Sequence, residues 1–275
     1  DYVTIVMRDR LLEAISQPAA LQLLERDTLP TYLARRRWFS AKGQSLTSAR
    51  IAYTTRLPSD SREIVLSEIE TVTDGTTNRW QVPMSMMWED EQQAALPSQL
   101  ALARVRRGRR VGLLTDAFAL PEFGRLMLCA LADGQSIETG EERIVFEPTA
   151  ATTDALRCKP DAAVLWLTAE QSNSSLIVDD AVMLKIFRRV APGIHPEAEM
   201  GRYLTAHGFT NSPLLLGEVR RLDKEGNSRS LAVAQSFVRN QGDGWSWTLD
   251  QFKRALVDFA THGEAPEAHR EGVED

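Results

Sequence analysis

One lysine in an apolar strand, with a polar run ahead of it, is where this chain could do chemistry. In AEQSNSSLIVDDAVMLKIFRR, residues 169–189, two short apolar strands (176–178 and 182–187) meet at an acidic turn, Asp179 and Asp180. Lys185 lies inside the second strand, and the polar run from Glu170 to Ser175 leads into the first. A buried ammonium is costly unless an anion meets it. Phosphate groups want positive charge and backbone N–H groups gathered at one end of a hairpin. A lysine pointing out of such a strand would neutralise phosphate oxygens, and a carboxylate on a following helix would hold it. The segment GIHPEAEMGRYLTAHGF, 193–209, reads as that helix, entered at Pro196 and left at Gly208. Glu199 is the better candidate, with Met200 and Leu204 turned to the sheet, and Glu197 is the alternative. Gln171, Ser172, Asn173, Ser174 and Ser175 would lie over the phosphates. They include no glycine, so their contacts would come from hydroxyls, the Asn amide and N–H groups.

The elements that must position these residues follow from periodicity. Between 163 and 238 the order is strand, polar loop, strand, lysine-bearing strand, helix, strand, strand. That is the order of the small lobe of a kinase-type fold, and it predicts an antiparallel sheet with one helix, 196–207, packed on it. Upstream, apolar residues over 9–29 break at Pro18 into two short amphipathic helices. Strands follow at 49–57 and 62–72, and the Asp-Gly turn in 73–84 predicts a third strand in a hairpin. The first hundred residues thus read as helices followed by a small antiparallel sheet. The basic stretch ARVRRGRRVG, 103–112, reads as a solvated loop or an anion site. A helical run is expected over 113–132, split by Pro121 and Gly124. A last helix is expected from a Thr248 N-cap, with Leu249, Phe252, Leu256 and Phe259 on one face.

The bulk numbers narrow the class. The 275 residues are 43% apolar and 25% charged, with a net charge of −6, which argues against a nucleic-acid surface. No apolar run approaches the ~18 residues of a membrane span, and no secretory signal opens the chain. Two cysteines, Cys129 and Cys158, make no disulfide framework or metal spacing, and read as reduced thiols in a cytoplasmic protein. Four histidines, His195, His207, His262 and His269, form no metal-hydrolase pattern.

Three separated motifs, in order, resemble bacterial maltokinases, the ATP-dependent enzymes that phosphorylate maltose at its anomeric hydroxyl. EQSNSSLIVDDAVMLKIFRRVAPGIHPEAEMGRYLT resembles their small lobe, LPTYLARRRWFSAKG the RWF element of their N-terminal cap, and QSFVRNQGDGWSWTLD their passage into the large lobe. The likeness covers roughly residues 20–262. It implies an α+β protein: a leader or join (1–20), a helix-plus-antiparallel-sheet cap (21–110), a protein-kinase-like small lobe (111–236), then a linker and first large-lobe helix (237–275). It implies that Lys185 contacts the ATP α/β phosphates and pairs with Glu199, with residues 171–175 as the phosphate loop. Gln235, Ser236, Phe237 and Val238 would form the hinge beside adenine, mainly through backbone groups. Trp38 and Lys42 would belong to the cap's own fold, Trp38 as a core anchor. Trp245 and Trp247 would stack on a sugar or pack between lobes. Such kinases are often fused behind a trehalose synthase, and DYVTIVMRD could be the join.

The catalytic base and magnesium carboxylates of that family follow the hinge, in an HGDLHxGQ-like loop and a DFEGEP-like strand. Neither is found. His262 with Glu264, and Asp258 with Phe259, imitate them in reverse order on one amphipathic helix and are rejected. The expectation is therefore a truncated large lobe: a fragment with no catalytic residue, inactive alone, whose Mg2+ ligands and sugar pocket lie elsewhere. The alternatives are a glucosamine or other sugar kinase of the same aminoglycoside-phosphotransferase-like group, or a non-catalytic nucleotide-binding module.

Overall fold

In the computed structural model the chain is described over residues 2–40, 45–91, 95–152, 156, 159–167, 172–240, 242 and 244–262. It divides into two units, residues 1–237 and 238–275.

The first unit is built on two sheets in succession. Strand β1 (Thr4–Val6) precedes three short helices, α1 (Leu11–Ile15), α2 (Pro18–Leu23) and α3 (Leu29–Ala34). Pro18 begins α2, where a missing N–H costs nothing, so the break expected there is real. Strands β2 (Leu46–Leu57), β3 (Ile64–Thr73), β4 (Thr76–Gln81) and β5 (Met84–Trp88) follow, then α4 (Ala95–Gln99), β6 (Ala101–Arg107) and β7 (Arg110–Asp116). The sheet runs β1-β6-β7-β5-β3-β2, with β4 also on β3. Asp74 and Gly75, at φ 46° and 77°, make the tight β3–β4 turn that Asp-Gly announces. Seven strands make this a larger sheet than expected. It takes in Thr4–Val6, paired parallel to β6, from a stretch read as leader. Leu11, Ile15, Leu29 and Leu33 join Trp38, Phe39 and Trp80 in its core.

Two expectations fail in the same place. The basic stretch 103–112 is no loop but most of the β6–β7 hairpin, turning at Gly108 (φ 62°). Ala103 and Val105 are buried while Arg104 and Arg106 face out, the period-2 pattern of a strand. The helix expected over 113–132 begins only at Pro121, because Leu113 to Asp116 complete β7 and pair with β5 and β6.

The second sheet follows α5 (Pro121–Ala132). Its strands are β8 (Ser136–Thr139), β9 (Glu142–Pro148), β10 (Val164–Leu167), β11 (Ser174–Val178) and β12 (Val182–Ile186), then, after α6 (Pro196–Ala206), β13 (Leu215–Leu222) and β14 (Ser228–Ser236). All pairings are antiparallel, in the order β10-β11-β12-β14-β13-β9-β8. Helix α5 shares one buried cluster with Leu176, Val182, Leu184, Ile186, Ala232 and Ala234. Phe187, Leu215 and Val233 meet Ala198 of α6 in another. Gly124 permits the close approach of α5: a Cβ there would come within 2.8 Å of Leu176. Two buried charge clusters tie the sheets together. Arg221 of β13 grips Glu68 of β3 with two bonds of 2.6 and 2.7 Å; the other centres on Arg188.

The second unit holds α7 (Gly244–His262). It starts four residues before the expected cap, and Thr248 instead donates to the Gly244 carbonyl at 2.7 Å from inside the helix. Its apolar side chains Trp245, Trp247, Phe252, Leu256 and Phe259 are exposed. Among the described residues no helix is long and apolar enough to cross a membrane.

Candidate functional site

Lys185 lies on β12 with β11 on one side and β14 on the other. Alternation places Val182, Leu184 and Ile186 in the core beneath α5, so Met183 and Lys185 face the other way. In register Lys185 stands opposite Ser175 and Val233. Its Nζ meets Glu197 Oε2 at 3.1 Å, with the two side chains 18% and 29% exposed. The cation is thus paired yet still open to solvent.

The carboxylate that holds it is Glu197; Glu199, the favoured candidate, is exposed. The reason lies in the phase of α6. Ala198 is its fully buried position, Gly201 leaves a Cβ-sized approach of 3.6 Å to Leu215, and Met200 is 56% exposed. The helix packs through small residues, and that rotation turns Glu197 toward Lys185. Several bonds fix it. The His195 imidazole Nδ1 accepts from the Glu197 N–H at 3.2 Å, an N-cap, and its ring stacks on Phe187 at 3.8 Å. Ser230 Oγ accepts from the His195 N–H and donates to Glu218, both at 2.9 Å. Glu218 also takes Arg202 from the second turn of α6, so one carboxylate fastens both the start and the middle of the helix. Burial raises the Glu218 carboxyl above its usual pKa and lowers that of His195.

The residues expected over the phosphates divide. Gln171 lies outside the described residues, as do Lys42, Cys158, Glu264 and His269. Ser172 is exposed and Asn173 half-buried. Ser174 and Ser175 are not loop residues but the start of β11. Ser174 Oγ accepts from Arg188 Nε at 2.8 Å. Ser175 is fully buried, its hydroxyl has no partner, and it stands beside Lys185. The hydroxyl has no accessible surface, so Ser175 is a core position of β11 and not a contact for an incoming phosphate.

Arg188 is the residue that sequence reasoning missed, although it stands in the quoted FRR. It is buried, with Nη1 at 2.8 Å from Asp116 Oδ2 and 3.1 Å from the Gln81 carbonyl. Its guanidinium lies over Trp38 at 4.9 Å and Phe118 at 5.2 Å. Tyr32 donates to the same Asp116 oxygen at 2.7 Å. Trp38, also 6.0 Å from Trp80, therefore roofs the cluster that reaches Ser174. The available signal was an arginine closing an apolar strand.

At the hinge segment, two N–H groups are already used within the sheet. Ser236 N bonds Leu214 O at 2.9 Å and Phe237 N bonds Ala181 O at 2.7 Å. Gln235 is buried opposite Met183. Val238 belongs to the second unit and is exposed. Asp258 lies along α7 and His262 ends it. Among the described residues no group of His, Cys, Asp or Glu could hold a metal ion.

Residues 32–119 match the family model of the maltokinase N-terminal cap domain. Over 94 residues the chain is 27% identical to a glucosamine kinase of Mycolicibacterium smegmatis, covering 34% of this chain and 24% of that one. A solved glucosamine kinase in complex with glucosamine, ADP and inorganic phosphate is 16% identical at a TM-score of 0.46, over 83% of this chain and 45% of that one. Another, in crystal form A, is 16% identical at 0.44, over 82% and 45%. The chain spans about a quarter of the curated relative and under half of the solved structures. Its similarities are thus to a maltokinase N-terminal cap domain and to a glucosamine kinase.

Proposed function

We propose that residues 1–237 are the cap and nucleotide-binding small lobe of an ATP-dependent sugar kinase, with maltose phosphorylated at its anomeric hydroxyl as the first reading. The observation that carries it is the Lys185–Glu197 pair at 3.1 Å, partly open to solvent on the strand face turned away from α5. Lys185 would neutralise phosphate oxygens, Glu197 would keep its ammonium aimed, and residues 172–174 would border the phosphates. ATP with magnesium would supply the phosphoryl group. In this reading 21–110 is the cap, 111–236 the small lobe, and 237–275 a linker with the first helix of a large lobe. The base, the magnesium carboxylates and most of the sugar pocket then lie outside the described residues, and these residues alone do not turn over. A cytoplasmic setting and association with a trehalose synthase go with the maltokinase reading. The cap match supports maltose; the similarity to a glucosamine kinase favours a second reading, an amino sugar. A coupled assay of ADP release by the complete gene product, with maltose, glucosamine and glucose in competition, separates them. Turnover with neither maltose nor glucosamine would reject both.

A further inference from the structure

Helix α6 carries Glu197, and its apolar anchor is slight. Ala198 is its buried residue, while Met200 and Tyr203 are 56% and 58% exposed. Polar bonds to the sheet hold the helix at three levels. At the start, Ser230 Oγ of β14 accepts from the His195 N–H at 2.9 Å. In the second turn, Arg202 pairs with Glu218 of β13. In the last turn, Thr205 Oγ1 accepts from the Leu215 N–H at 2.8 Å. Glu218 joins the first two levels, because it also accepts from Ser230 Oγ at 2.9 Å. Its side chain is 2% exposed, so it is a tie and not a ligand contact. Arg220, on the same strand, lies farther off at 3.8 Å and is shared with Glu147 of β9. Arg202 sits five residues past Glu197, about 140° around the helix, so the pull on Arg202 sets which way Glu197 points. A cavity of about 820 Å³ lies beside this tie, lined in part by Arg202, Thr205, Ala206, Leu215 and Glu218. Open space on that side leaves α6 tethered and not wedged.

We infer that Glu218 is a positioning residue for phosphoryl transfer: through Arg202 and Ser230 it holds α6 at the rotation in which Glu197 meets Lys185. The inference rests on the kinase reading of that pair. Glu218 itself touches no substrate and acts through the helix. A misplacement of about 1 Å, caused far from the chemistry, can lower a rate about 100-fold. Releasing Arg202 is a change of that kind, since it frees the helix that aims the Glu197 carboxylate.

The test is steady-state kinetics of the complete gene product with maltose and glucosamine, beside urea unfolding. Glu218→Gln and Arg202→Met should each lower kcat at least about tenfold. KM for the accepted sugar should stay within about twofold, as when a contact made only in the transition state is lost. The double variant Arg202→Met/Glu218→Gln removes both charges, so its urea midpoint should return toward that of the parent while kcat stays low. A merely structural pair would recover both, and that result would overturn the inference. In a Glu197→Gln background, which should itself lower kcat, Arg202→Met should cost less than about twofold more, because both changes act on one contact. In the 275-residue chain the double variant should speed amide exchange at residues 197–199 and leave 182–186 unaltered. Full activity in both single variants, full additivity with Glu197→Gln, or unaltered exchange at 197–199 would each overturn the inference and leave Lys185 and Glu197 in their roles. Full activity in Glu197→Gln alone would overturn the kinase reading and the inference with it.

Discussion

Lys185 and Arg188 stand three residues apart, one within β12 and the other just past its end, and the fold treats the two cations in opposite ways. Arg188 has no access to solvent, and its donors are spent on Asp116, Gln81 and Ser174 between two aromatic rings. Lys185 is partly exposed and pairs with a partly exposed carboxylate, Glu197. A charge buried among its own partners is architecture, since a ligand could reach it only by dismantling its shell. A paired charge at a solvent-facing position can exchange part of its partner for an incoming anion. Residue type therefore says little about role; burial says more.

The largest effect should come from breaking the buried member of this comparison. Arg188→Met leaves Asp116 charged and buried with Tyr32 and the Phe118 N–H but no cation to satisfy it, and should cost about 3–5 kcal/mol in urea unfolding. Arg188→Met combined with Asp116→Asn should recover part of that loss, because the stranded charge is gone. A cost below about 1 kcal/mol for the single change would erase the distinction drawn here, since exposed pairs are worth that little.

Trp38→Ala comes next. The ring is 8% exposed, packs on Trp80, and roofs Arg188, so its removal should cost about 3 kcal/mol. Because the same ring covers the guanidinium that holds Ser174, backbone amide exchange should rise at residues 174 and 175 as well as around the cavity its removal leaves. Exchange confined to the first sheet would show that Arg188 does not transmit the loss.

Lys185→Ala sharpens the other side. It should change stability by under about 1 kcal/mol. In the complete gene product it should nonetheless remove roughly 3–4 kcal/mol of charge stabilisation from phosphoryl transfer, read as kcat/KM for the sugar. A large stability loss with unaltered turnover would make Lys185 a second Arg188.

The sequence made one of these cations legible and hid the other. Alternation of Val182, Leu184 and Ile186 with Met183 and Lys185 is local, and the motif order around it placed the strand, the turn and α6 correctly. Glu197 was ranked second because helix phase was read from the large apolar residues Met200 and Leu204. In fact α6 packs through fully buried Ala198, with Met200 turned out to solvent. Arg188 could not be read at all: its partner carbonyl at Gln81 is 107 positions away, and Tyr32 joins the cluster through Asp116 across 84 more. The β6–β7 hairpin was hidden by its charge, since five arginines between 104 and 110 mask an alternation carried only by Ala103 and Val105.

The smallest expected effect tests how Glu197 is aimed. His195 caps α6 with Nδ1 on the Glu197 N–H, and its pKa is lowered from the usual value chiefly by burial, opposed by Glu197 and assisted by Lys185. A folded-state pKa below the unfolded value of ~6.5 means that the unfolded chain binds the proton more readily. The contribution of His195 to stability is then fully present above pH ~6.5 and is lost as pH falls through that value toward the lower folded one. Protonation also converts Nδ1 from acceptor to donor, which ends the cap and brings a second cation beside Lys185. Acid should therefore loosen the first turn of α6 before the sheet responds. His195→Asn should keep a cap, because Asn is among the best N-cap residues, while removing the titration. His195→Ala should lose about 1 kcal/mol at neutral pH. Urea midpoints at pH 8 and pH 5 should converge less for the parent than for His195→Asn, whose difference retains only the carboxylates' share. An identical pH dependence in the two proteins would place the acid sensitivity elsewhere and leave His195 as a stacking partner of Phe187 alone.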